Sequence, residues 1–178
     1  DLPHIINHLG VNDGQVLLST QKIDSNHLAS MYNAADFTIN VSDAEGFGLA
    51  TLESLSCGTP IVVNMTGGLQ EQVTDGKNWF GWGIQPSSRA VIGSLQVPYI
   101  YEDRINQEDF NNILKKAINI SPAKYEKMSS AGIKHVEDNY SFQKFNDSWV
   151  KLMDDIVEKH GSWETRKNYK RWHLLEVA

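Results

Sequence analysis

Residues 42–60 read Ser42-Asp43-Ala44-Glu45-Gly46-Phe47-Gly48-Leu49-Ala50-Thr51-Leu52-Glu53-Ser54-Leu55-Ser56-Cys57-Gly58-Thr59-Pro60, and this stretch decides the fold. Two carboxylates, Glu45 and Glu53, stand with seven residues between them, and a Gly-Phe-Gly turn follows the first directly. Upstream, Phe37-Thr38-Ile39-Asn40-Val41 predicts a buried strand. Downstream, Leu49, Leu52 and Leu55 fall on one helical face, and Gly58 with Pro60 gives a stop signal. The stretch is therefore a strand, a glycine turn and a helix start. Such a geometry suits a phosphorylated ligand, because the first amides of a helix are unpaired and its dipole end is positive.

Working outward, Val16-Leu17-Leu18-Ser19-Thr20 predicts a short buried strand, and a helix is expected from about Ser25 with Leu28, Met31, Tyr32 and Ala35 at helical spacing. On the other side, Ile61-Val62-Val63-Asn64-Met65 is a β-branched strand ended by Thr66-Gly67-Gly68, and a short helix, Leu69 to Val73, closes at Asp75-Gly76. Strand and helix alternation of this kind gives an α/β fold, a Rossmann-like parallel sheet with helices on both faces. Ligands bind beyond the carboxyl ends of such strands, so the Glu45–Gly48 and Thr66–Gly68 turns are expected to face one cleft.

Residues 77–106 are less regular. Asn78 to Gly83 and Pro86 to Ser88 read as a loop or edge insertion, with Tyr99-Ile100-Tyr101 as one edge strand. Packing under a loop is the commoner fate for Trp79 and Trp82; stacking on a sugar or base is the alternative. The rest is helical. Phe110, Ile113, Leu114, Ala117 and Ile118 mark one amphipathic helix, Ser121-Pro122 caps a second, and Ser141 caps a third. That third helix carries the apolar stripe Phe142, Phe145, Trp149, Leu152 and Ile156, up to His160-Gly161. From Ser162 to Ala178, Trp163, Tyr169, Trp172 and Leu175 alternate with basic residues, as in a terminal helix docked elsewhere; a membrane-surface helix is the minor alternative.

With 178 residues and 40% hydrophobic content, the chain can bury one good core. A net charge of −6 argues against a nucleic-acid surface and leaves room for a small anionic ligand, which needs only local positive potential. A lone cysteine, Cys57, excludes a disulfide or cysteine-zinc framework and reads as a small core residue. No apolar run reaches the length of a membrane span and no secretory pattern occurs, so the expected location is cytoplasmic, with membrane association left open. The first residue is Asp1 and no strand precedes Leu2, so the sequence reads as part of a longer chain.

At Glu45–Glu53 the sequence resembles the family-4 retaining glycosyltransferases of the GT-B fold, whose carboxyl-terminal domain carries Glu, seven residues, Glu, with Gly-Phe-Gly-Leu after the first acid. The resemblance continues in order through His27–Asp36, Glu53–Val63, Gly67-Gly68-Leu69-Gln70-Glu71, Asp75-Gly76 and Tyr140-Ser141-Phe142-Gln143, covering roughly residues 15 to 160. It implies a donor-binding domain over residues 1–160 whose opening strand is absent. Residues 161–178 are then a helical segment docking on an amino-terminal acceptor domain. It also implies transfer of a sugar from a UDP- or GDP-sugar to a carbohydrate or other hydroxyl acceptor, with no further cofactor. Glu45 is implied to meet the donor sugar and stabilise charge in the transition state, without a covalent intermediate. Gly46, Phe47, Gly48 and Leu49 are implied at the sugar and diphosphate, Glu53 at the ribose, and Lys22 with Ile23 at the nucleobase.

Elementary geometry is compatible with those roles. Helical rise puts eight positions at roughly 12 Å, an upper figure for Glu45 to Glu53 and about the span from sugar across diphosphate to ribose. Gly46 and Gly48 let a diphosphate approach the backbone, and a carboxylate accepts well from vicinal hydroxyls. No Asp-x-Asp occurs and the six histidines show no ligand spacing, so no metal is expected. Residues 1–21 hold no Lys or Arg, so the basic pair with which the family neutralises the diphosphate is expected upstream of Asp1. Taken singly, Glu45 is a helix-start charge, Glu53 a solvated helix residue and Gly-Phe-Gly a turn; their combination carries the reading. Two other classes compete. A dinucleotide-dependent oxidoreductase needs a third glycine where Thr51 stands, and Glu45 would repel a pyrophosphate. A non-catalytic nucleotide-sugar-binding module has the same signature.

Overall fold

The computed structural model describes residues 1–167. Its centre is strand β2 (Ile61–Asn64), four residues buried throughout. The parallel sheet runs β1 (Thr38–Asn40), β2, β3 (Gly81–Ile84), with Thr38 opposite Ile61 and Ile61 opposite Gly81. Alternation along β2 builds two cores. Ile61 and Val63 pack with Leu55, Leu69, Val73 and Phe80 on one face, while Val62 packs with Trp82, Ile84, Ala117 and Met128 on the other. Each fully buried aliphatic side chain contributes about 1.5–3 kcal/mol, so a strand buried on both faces anchors both helical layers.

The helices are α1 (Leu2–His8), α2 (Ser25–Ala34), α3 (Leu49–Ser56), α4 (Leu69–Val73), α5 (Gln107–Ile118), α6 (Pro122–Tyr140) and α7 (Phe142–His160). Local chemistry sets their starts. Asp24 accepts from the amides of Asn26 and His27 at 3.0 Å, and Asn106 from that of Asp109 at 2.8 Å. Ser121 and Ser141 cap α6 and α7, and Gly161 ends α7 with a φ of 78°. Strands β4 (Ser88–Ile92) and β5 (Ile100–Arg104) form a separate antiparallel hairpin, with Arg89 opposite Asp103.

Several expectations are corrected. Residues 16–20 form no strand, and Leu17 is 85% exposed. An apolar run becomes a strand only with a ladder partner, and β1 pairs only with β2 among the described residues. For the same reason β1 is a short edge strand with Ile39 exposed, not a buried one. The Leu49-Leu52-Leu55 face is not what α3 buries: Thr51, Ser54 and Leu55 are buried and Leu49 is exposed. Residues 77–106 are more ordered than the expected loop or edge insertion, and the strand expected at Tyr99–Tyr101 is present as part of β5. They hold the third parallel strand and a complete hairpin, with Tyr99 at the turn side of β5. Trp82 is core, edge-on to Phe37 at 5.2 Å, whereas Trp79 is half-exposed. The apolar stripe of α7 lies exposed, and so does Ile118 of α5. Residues 161–167 carry no regular element; the rest of the expected terminal helix lies outside the described residues.

Phe80 is the largest of the fully buried side chains. Phe80→Ala is expected to lower unfolding free energy by about 3–5 kcal/mol in chemical denaturation, against less than about 0.5 kcal/mol for Leu95→Ala at the exposed hairpin tip.

Candidate functional site

The turn after β1 is held from three sides. Asn40, the last β1 residue, accepts from the Ser42 amide at 3.1 Å and the Ser42 hydroxyl at 2.7 Å; its Nδ2 lies 3.5 Å from Glu45 Oε2. Gly48 adopts φ 86° and ψ 62°, a left-handed conformation that favours glycine, and precedes α3 without a side-chain cap. A Cβ there would stand 2.7 Å from Leu69 Cδ2. Beneath it, fully buried Gln72 donates from Nε2 to the Phe47 carbonyl at 2.5 Å, and the Thr51 hydroxyl lies 2.8 Å from the Gly48 carbonyl and 2.5 Å from Gln72 Oε1.

The second glycine turn packs directly on the first. A Cβ at Gly67 (φ 48°) would fall 1.7 Å from the Glu45 carbonyl oxygen, and the Gly68 amide donates to the Gly46 carbonyl at 3.1 Å. The two turns thus form one surface at the carboxyl ends of β1 and β2, with the uncapped first amides of α3 among them. Among the expected residues, the structure brings together Glu45, Gly46, Phe47, Gly48 and Leu49, with Glu45 half-buried and Phe47 and Leu49 exposed. Glu53 lies on the exposed side of α3 and accepts from the Tyr32 hydroxyl at 3.1 Å. Burial first, and then that bond to Glu53, pushes the Tyr32 hydroxyl up to about 12. Lys22 is exposed and Ile23 half-buried in the loop before α2.

Two supports escaped the sequence reading. Phe47 meets Tyr140 edge-on at 5.8 Å, Tyr140 meets His135 at 5.6 Å, and His135 stacks on Phe80 at 4.4 Å, linking the turn to the core. Tyr140 was visible only as the residue before the α7 cap. The other is the β4–β5 hairpin, which touches both turns through Asp103. The Asp103 amide donates to the Asp43 carbonyl at 2.7 Å, and its carboxylate accepts from the Thr66 hydroxyl and from Arg89 Nε, both at 2.9 Å. The bonds to Arg89 and then to Thr66 hold that carboxyl below the usual range. Arg104 pairs with Asp43 at 2.9 Å and with Glu102. No local pattern announces contacts between residues so far apart in sequence.

Residues 2–135 match the model of the family described as glycosyl transferases group 1. The chain belongs to that family. Among curated relatives, a D-inositol 3-phosphate glycosyltransferase of Mycolicibacterium smegmatis is 37% identical over 173 residues, covering 97% of this chain and 35% of that protein. Another, D-inositol 3-phosphate glycosyltransferase 2 of Catenulispora acidiphila, is 35% identical over 105 residues, covering 57% of this chain and 24% of that protein. The chain therefore spans about a third or less of these relatives.

Sucrose-phosphate synthase from Thermosynechococcus elongatus superposes with a TM-score of 0.66 at 21% identity, over 89% of this chain and 34% of that one. The carboxyl-terminal domain of a glycosyl transferase group 1 protein from Francisella tularensis gives 0.53 at 24%, over 79% and 61%. The fold of this glycosyltransferase chain is that of GT-B carboxyl-terminal domains: a parallel sheet flanked by helices, followed by a helical region.

Two outcomes follow from the geometry. Gly67→Ala is expected to lower the melting temperature and disturb the Glu45 turn, whereas Gly46→Ala, whose Cβ would meet nothing within 4 Å, leaves the melting temperature unchanged. The Tyr32 shift favours the neutral phenol in the folded state. Its share of stability is whole below its ordinary value of 10.0 and is lost as pH rises from there to about 12. A tyrosinate absorbance titration is expected to show a late-ionising group that Tyr32→Phe removes and Glu53→Gln moves to lower pH.

Proposed function

We propose that this chain is the donor-binding half of a retaining, metal-independent glycosyltransferase of family 4, using a UDP- or GDP-sugar and passing the sugar to an acceptor hydroxyl. The observation that carries the reading is the left-handed Gly48 turn, which opens α3 without a cap directly after half-buried Glu45, at the carboxyl end of β1. Membership of a glycosyltransferase family supports it.

In this reading the first α3 amides and the Gly46–Gly48 backbone receive the diphosphate, where glycine permits close approach and the helix end favours negative charge. Glu45 lies beside the donor sugar. As the bond between sugar and diphosphate weakens, positive charge grows on the sugar and is stabilised by the carboxylate, while the acceptor hydroxyl attacks on the face that the diphosphate leaves and gives its proton to the departing diphosphate oxygen. Glu53 accepts from the ribose hydroxyls, and its Tyr32 bond orients it. Lys22 and Ile23 border the nucleobase. The lack of any Asp-x-Asp pair supports charge compensation by amides and basic side chains instead of a metal. In this proposal residues 1–160 form the donor-binding body and the segment that begins at 161 docks on a separate acceptor-binding domain; its residues 168–178 lie outside the described residues. A cytoplasmic location completes the proposal; among the described residues, no helix is long and apolar enough to cross a membrane.

The dinucleotide alternative loses ground, because Thr51, standing where a third glycine would be required, is fully buried and bonded inward to the turn. Calorimetry with UDP, GDP and NAD separates the readings: binding of NAD alone overturns the proposal. In the full-length protein, Glu45→Gln is expected to lower kcat about 10²–10³-fold with little change in donor affinity. Glu53→Gln is expected to weaken UDP or GDP binding about tenfold, the worth of one charge-assisted hydrogen bond, and an unchanged affinity overturns its ribose role.

A further inference from the structure

Among the described residues, one side-chain hydrogen bond reaches the carboxylate of Glu45, the 3.5 Å approach of Asn40 Nδ2. Its position therefore depends on the main chain on either side: the β4–β5 hairpin bonds the side before it directly, and bonds the second glycine turn, which holds the side after it. Asp103 of β5 is central. Its amide bonds the Asp43 carbonyl, two residues before Glu45, and its carboxylate bonds Thr66, one residue before the glycine that backs on the Glu45 carbonyl.

Asn64, at the carboxyl end of β2 and fully buried, closes the junction. Its Nδ2 donates one hydrogen to the Asp103 carbonyl at 2.7 Å and the other to the Ser42 carbonyl at 2.9 Å. Its Oδ1 is buried without a hydrogen-bond partner among the described residues. An aliphatic side chain would avoid that unsatisfied acceptor but would release both carbonyls, so the amide is specific to tying strand, turn and hairpin together.

We propose that the β4–β5 hairpin is a clasp that positions the Ser42–Glu45 turn for sugar transfer, with Asp103 and Asn64 as its positioning residues. The catalytic part rests on the proposed function; the clasp itself is a matter of turn geometry. A misplacement of reacting groups by about 1 Å can cost about 10²-fold in rate, so loosening this junction acts on turnover before it acts on nucleotide binding. The Asp103 carboxylate is the better handle, because its side chain is partly exposed and belongs to neither core cluster, whereas Asn64 is fully buried.

The test uses the full-length protein. Asp103→Ala is expected to lower kcat at least about tenfold, with donor KM changed less than about threefold, and to speed amide exchange over residues 42–48. Asp103→Asn restores most of kcat, because its amide oxygen still accepts from Thr66. Leu95→Ala, at the hairpin tip, stays at the unaltered rate. If Asp103→Ala fails to fold, Thr66→Val removes the same bond from the other side and is read by the same criteria. Unchanged kcat and unchanged exchange overturn the clasp, and so does a loss of kcat that Asp103→Asn leaves unrelieved while residues 42–48 exchange at the original rate. An unaltered protein inactive with every nucleotide sugar counts against the proposed function, while the exchange result still decides the clasp.

Discussion

The contact between Gly67 and the Glu45 carbonyl is the constraint on which the site depends. Two main chains meet there with no room for a Cβ, so the turns after β1 and β2 form one surface. The Gly68 amide and the Gln72 side chain fix the Gly46 and Phe47 carbonyls on the same side. These bonds use the carbonyls, not the amides, of the Gly-Phe-Gly turn. The first amides of α3, which no side chain caps, carry the positive end of the helix dipole beside this turn. Packing thus engages the Gly46 and Phe47 carbonyls within the domain itself.

The same surface is tied outward in three directions. Inward, β2 is buried on both faces and transmits the order of two cores to the turns at its end. Laterally, Phe47 reaches the core through Tyr140, His135 and Phe80. On the remaining side, Asp103 and Asn64 join the hairpin to both turns. A half-buried acid on a glycine turn has little rigidity of its own, so these ties give Glu45 its place relative to the α3 amides.

The central α/β pattern could be read from the sequence because its determinants are local. Residues 61–63 are β-branched and apolar ahead of Asn64, Leu69–Val73 is bounded by turn residues at both ends, and Ser121-Pro122 and Ser141 are strong helix starts. The Glu45–Gly48 turn could be read for the same reason, and the parallel order put Gly67-Gly68 at the same end of the sheet; the direct packing of one turn on the other is not a local signal. Strand β3 could not be read, because Gly81 and Gly83 dilute its signal; Gly81 is there because Ile61 passes so close that no side chain fits. The α3 face was misread because its buried side contains Thr51 and Ser54, whose hydroxyls are satisfied inside. Residues 16–20 failed in the opposite direction, since apolar character without a pairing partner does not make a strand. The hairpin's hold on the site is a property of contacts across 37 to 39 positions, from Thr66 and Asn64 to Asp103, and no local pattern encodes it.

The most direct measurement is a crystal structure of the full-length protein with bound UDP or GDP. The diphosphate is expected against the Gly46–Gly48 backbone and the first amides of α3, with the ribose hydroxyls on Glu53. A nucleotide bound elsewhere on the domain, with the Gly48 turn left unoccupied by phosphate, would contradict the assignment of this surface to a nucleotide sugar.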